Sequence, residues 1–128
     1  MAQKKYVRSN EIPIQTLILE FLARKGILAW RNQQIPVPIR KENKIVGFRR
    51  ADQHTKGLPD IFVVISGHFI GLEVKDKGKQ EPEQIKWEKD LKKHGASYYV
   101  VHSLDEAIEV INLCYKSVIL PTLQKSKK

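Results

Sequence analysis

The sequence predicts one α/β domain on a mixed β-sheet, with elements in the order α-β-β-β-β-α-β-α. Three observations predict it. Apolar residues recur at helical spacing in three separate segments. Between these segments lie short runs rich in β-branched and aromatic residues, and the mixing of both patterns in one chain marks a layered α/β fold. The 128 residues suffice for one domain with a real core. Cys114 is the single cysteine, which excludes an internal disulfide and a zinc site built on cysteines.

The elements follow in order. Asn10 is a candidate N-cap, with Glu11 in the first turn and Pro13 soon after. Ile14, Leu17, Ile18, Phe21 and Leu22 then repeat at helical spacing, and Gly26 is the expected stop. ILAWR, from Ile27, reads as a strand. Pro36 and Pro38 make QQIPVPIRKEN extended or looped. KIVGF, Lys44 to Phe48, reads as a second strand, and the polar RRADQHTKG, Arg49 to Gly57, as a loop. GLPDIFVVISGHFIGLEVK, Gly57 to Lys75, is a hairpin turning at Ser66-Gly67. A helix is expected from Glu81 to His94, closed by Gly95, with a narrow apolar stripe. SYYVVH, Ser97 to His102, is a strand, and Ser103 with Glu106 forms an S-x-x-E capping box for a last helix through Ile108, Ile111 and Leu113. For SVILPTL, Ser117 to Leu123, two roles stay open: a small extra strand packed on its own chain, or the seal of a dimer.

Charge narrows the partners. Lys and Arg number 23 against 14 acids, a formal +9, which suits a polyanion such as nucleic acid. Some of the excess sits in the tails, but Arg40, Lys41, Lys44, Arg49, Arg50 and Lys56 surround a mid-chain loop. No stretch approaches the ~20 apolar residues of a membrane span, and the start has no apolar run of the signal-peptide kind. The expectation is a protein of a reducing compartment: the bacterial cytoplasm, or a phage protein acting there.

The hairpin carries the chemistry. With a two-residue loop at Ser66-Gly67, Ile65 faces His68, Val63 faces Ile70, and Asp60 faces Glu73. Side chains alternate along a strand, so Lys75 shares the face of Glu73. Opposed side chains lie roughly 5 Å apart at Cβ. Two carboxylates at that separation repel when both are ionised, and a hard divalent cation between them removes the repulsion. The adjacent ammonium can orient a water or stabilise developing negative charge. An ordinary salt bridge at a strand end is the competing reading of the same three residues.

Pro59-Asp60 followed by Glu73-Val74-Lys75 resembles the PD-(D/E)xK nuclease superfamily. SNEIPIQTLILEFL, AWRN, GLPDIFVV, GLEVK and EPEQIKWEKDLKKHGASYYVV together resemble a virus-type replication-repair nuclease (VRR-NUC) domain, from about Ser9 to Ile111. The resemblance implies a restriction-endonuclease-like fold, activity on DNA with a divalent metal, and a site completed by a first-helix glutamate and a glutamine after E-x-K. The matching positions are Glu11 and Gln84. Free-standing members are similar in fold to four-way (Holliday) junction resolvases and often pair as homodimers. One departure is Gln33-Gln34-Ile35-Pro36, where members often carry a glycine. At about 100° per residue, Glu11 lies on the apolar stripe of its helix and Glu20 on the far side.

The sequence therefore points to a Mg²⁺- or Mn²⁺-dependent DNA endonuclease, selective for branched DNA and acting as a homodimer. Asp60, Glu73, the Val74 carbonyl and Glu11 are the expected metal ligands. Lys75 and Gln84 complete the catalytic set, and Arg31, Arg49, Arg50 and Lys56 are candidate phosphate contacts. The alternative is a non-catalytic DNA-binding module that keeps the fold. Trp30 and Trp87 are expected in the core or in helix packing, and His54 is a weak candidate in the loop before the active strand.

Overall fold

A computed structural model describes residues 10–32, 37–49 and 56–126, with side chains described as far as residue 117. The elements are α1 (Glu11–Arg24), β1 (Leu28–Arg31), β2 (Val37–Lys41), β3 (Lys44–Arg49), β4 (Ile61–Ile65), β5 (His68–Val74), α2 (Pro82–Lys93), β6 (Ser97–Val101) and α3 (Leu104–Ser126). The main sheet has the order β1-β4-β5-β6. Its first three strands are antiparallel, and β5 and β6 run parallel, joined over the sheet by α2. This is the expected mixed sheet flanked by helices.

The hairpin has the register the turn dictates: Ile65 pairs with His68, Val63 with Ile70 and Ile61 with Leu72. Ser66 and Gly67 both take positive φ, 48° and 80°, as a two-residue hairpin loop with the twist of its strands requires. Period-2 alternation then sorts the sheet. Ile61, Val63, Ile70, Leu72, Val74 and Val101 are fully buried on one face. They pack on Ile18 and Leu22 of α1 and on Ala107, Ile111 and Cys114 of α3. Fully burying each such aliphatic chain contributes roughly 1.5–3 kcal/mol, so this face anchors the domain. α1 stops as expected, with Gly26 at φ 71° just past its end.

Several expectations are corrected. Val37–Lys41 is a strand, so the order gains one β element. Pro38 is tolerated because β2 pairs with β3 alone, in a separate two-stranded sheet with a bulge at Ile39/Arg40. KIVGF thus belongs to an arm outside the central sheet. SVILPTL is neither a strand nor a separate segment: α3 runs through it to Ser126. Asn10 stands at the N-cap of α1 as expected but makes no side-chain cap bond; its amide donates instead to Asp76 Oδ2 at 3.1 Å. Ser103 Oγ does accept the Glu106 amide, but the Glu106 carboxylate turns to His102 rather than to Ser103. Leu17 is 48 % exposed, and Gln15 takes a buried place on the inner face of α1 instead. Trp30, expected inside, is 44 % exposed on the open side of the sheet, edge-on to Phe62.

Gly71 shows how tightly the strand ends are packed. A Cβ there would lie 2.4 Å from Pro59 Cγ and 3.6 Å from the Tyr98 ring. Its backbone is ordinary for a strand, so the requirement is for space alone. Gly71→Ala should cost about 1–3 kcal/mol by overpacking, read as a lowered urea midpoint. An unchanged midpoint would show that Pro59 can move aside.

Candidate active site

The site forms where β4 begins and β5 ends. Asn32, just past β1, donates its amide to the Asp60 carbonyl at 2.8 Å and fixes the Asp60 backbone. The Asp60 side chain turns to β5, where Oδ2 accepts the Val74 amide at 2.8 Å. Glu73 stands on the same end of the sheet and is 3 % exposed. Gln84, in the first turn of α2, accepts the Glu81 amide at Oε1 and donates from Nε2 to Glu73 Oε2, both at 2.8 Å. Lys75 Nζ lies 4.0 Å from the same oxygen, and its side chain is 13 % exposed.

Glu73 is therefore held at one oxygen. The other, Oε1, is buried and has no hydrogen-bond partner among the described residues. Burial above all, then the charge of Asp60, pushes the Glu73 carboxyl up to about 9; Lys75 acts in the opposite direction. The two carboxyl groups come close enough to share a proton, and Glu11 adds further negative charge. A buried Glu73 with an open oxygen, beside a half-buried Asp60, is the donor set a hard cation fits. Among the described residues, no three His, Cys, Asp or Glu side chains close on one metal position. The fit therefore rests on Asp60 and Glu73, with backbone carbonyl, water or substrate oxygens as the remaining ligands.

Glu11 reaches the rim of the site rather than its centre, where Oε2 accepts the Asp76 amide at 3.2 Å. Asp76 also accepts from Asn10, so one acid unseen in the sequence reading pins α1 to the end of β5. Its signal was the carboxylate next to Lys75. Tyr98 was missed too. It pairs with Gly71 across the ladder and is 2 % exposed. Burial pushes its hydroxyl above the ordinary phenol range; a hydrogen bond with Gln80 acts the other way, and the charges of Glu73, Glu88 and Asp60 add to the rise.

The basic candidates disperse. Arg31 lies against α1, with Nη2 donating to Thr16 Oγ1 at 2.9 Å. Lys56 pairs with Glu83 at 3.4 Å. Arg49 is exposed at the end of β3, where it pairs with Val37, at the opposite end of the arm from Arg40, Lys41 and Lys44. Arg50 and His54 lie outside the described residues, as do Gln33 to Pro36.

Comparison with known proteins bears on the fold. A solved structure described as a VRR_NUC domain matches 80 % of this chain and 95 % of its own, with a TM-score of 0.55 and 23 % identity. No family model matches the sequence, and no curated protein matches it. The chain thus has the fold of a VRR_NUC domain, the fold its motifs imply. No helix among the described residues is long and apolar enough to cross a membrane.

Proposed function

We propose that this protein is a divalent-metal-dependent endonuclease that hydrolyses phosphodiester bonds in DNA. The observation that carries the reading is the buried Glu73 beside the half-buried Asp60, with Glu73 Oε1 open and Lys75 next to it. Asp60, Glu73 and the Val74 carbonyl would hold Mg²⁺ or Mn²⁺, with Glu11 contributing from the rim. Bound there, the ion supplies Lewis acidity for the scissile phosphate and the attacking water. The chain's own groups do the rest. Gln84 holds Glu73 in one rotamer through Oε2, leaving Oε1 for the cation. Lys75 places its ammonium where it can orient the water and offset charge as the water adds and the ester oxygen leaves.

We extend the reading to two chains on branched DNA. One acid pair cuts one strand, and a twofold dimer supplies two symmetric cuts. Support comes from two apolar surfaces exposed on the single chain. Leu28 and Trp30 crown the open sheet face over Phe62 and Phe69, while the β2–β3 arm exposes Ile45, Val46 and Phe48. The arm of each copy covering the open face of the other satisfies both at once, and leaves the basic arm residues beside the DNA. Incubation with linear, flapped and four-way DNA, with and without Mg²⁺, tests the chemistry. Light scattering at micromolar concentration tests the pairing. The expected result is a dimer that cuts the four-way substrate fastest, with affinity falling steeply as salt rises. A monomer that cuts plain duplex equally well removes the pairing and the branch selectivity. DNA binding without cleavage in any metal would leave a binding module.

A further inference from the structure

Helix α2 reaches the acid pair by two routes. From its first turn, Gln84 donates to Glu73. One turn later, Trp87 Nε1 donates to the Lys56 carbonyl at 2.9 Å. Gln84 and Trp87 are three residues apart and so share a helix face. Just before Gln84, the α2 backbone at Glu83 fills the space beside Gly57. A Cβ at Gly57 would lie 2.6 Å from the Glu83 carbonyl carbon, and Gly57 has φ 94°. What α2 grips here is the approach to Asp60, the run Lys56-Gly57-Leu58-Pro59-Asp60. The Lys56–Glu83 ion pair adds little, since its side chains are 37 % and 41 % exposed and exposed pairs are weak. The half-buried indole bond is the firmer tie.

We infer that Trp87 is a positioning residue for the metal site: it clamps the turn at Lys56 and Gly57 onto α2, and so sets the distance between Asp60 and Glu73. The inference rests on the metal-dependent reading above. One helix thereby braces both carboxylates, Glu73 through a side-chain amide and Asp60 through the chain that leads to it.

Trp87→Phe keeps the ring and removes the donor. Calorimetric titration with Mn²⁺ should show the dissociation constant raised about fivefold, the scale of one neutral hydrogen bond. The Mg²⁺ concentration for half-maximal cleavage should rise in parallel, with the rate at saturating Mg²⁺ nearly unchanged. A purely structural role would lower the melting temperature and leave the Mn²⁺ constant alone, which overturns the inference. Should the variant fail to fold, Trp30→Phe leaves Trp87 as the sole tryptophan. Its emission should then change saturably with Mg²⁺, and a flat titration would equally overturn the role. Wild-type protein that binds no Mn²⁺ removes the metal reading itself. Wild-type binding matched by Trp87→Phe removes only the part given to Trp87.

Discussion

Asp60→Asn and Glu73→Gln should each lower Mg²⁺-dependent cleavage by about a thousandfold or more while the protein stays folded. Each change removes a negative oxygen from the pair and keeps the side-chain volume. The loss corresponds to roughly 4 kcal/mol of transition-state stabilisation, each tenfold being 1.36 kcal/mol. Stability should move the other way in Glu73→Gln. The Glu73 carboxyl, pushed from 4.5 to about 9, binds a proton in the metal-free fold that the unfolded chain has already released. Its contribution to stability is therefore full below about pH 4.5 and is lost as pH rises toward 9. At pH 8 in chelator, Glu73→Gln should melt several degrees above wild type, since about 1 kcal/mol moves a domain of this size by roughly 4 °C. At pH 4.5 the two should nearly coincide. Near-normal cleavage by either purified variant would sink the assignment; a melting difference that does not grow with pH would locate the perturbation elsewhere.

Lys75 carries the second large effect. Lys75→Ala and Lys75→Arg should both reduce cleavage by about a hundredfold or more, on the scale of losing one charge-stabilising donor. The arginine variant is the sharper test. Its charge is kept, but a planar fork replaces a compact ammonium at a side chain only 13 % exposed, 4.0 Å from Glu73. Mn²⁺ binding should persist in both, because Lys75 is not a ligand. An arginine variant with a wild-type rate would reduce Lys75 to a background charge.

The heart of this site was legible because it obeys local rules. The Ser66-Gly67 turn fixes the register, and the register brings Asp60 to Glu73. The azimuth of Glu11 on its helix turned it toward the same strand end. What escaped depends on tertiary neighbours. Val37–Lys41 carries two of its strand-forming residues beside Pro38, and only its pairing with β3 makes it a strand. The length of α3 was hidden by Pro121, which ordinarily ends a helix. Trp30 looked like a core residue because composition does not say which sheet face a helix covers. Asp76 and Tyr98 acquire meaning only through Asn10, Glu11 and Gly71, residues distant in sequence.

On the metal-dependent reading proposed above, the contact of Gly71 with Pro59 bears on cation size. Mg²⁺ sits about 2.0–2.1 Å from its oxygens and Ca²⁺ about 2.3–2.6 Å, so a site selects between them by how far its ligands can part. The strand ends that carry the two carboxylates are packed without slack, Gly71 against the Pro59 ring and Gly57 against the Glu83 backbone. Retuning the site toward a larger ion is thus a problem of backbone design, to be worked at two glycines that carry no charge.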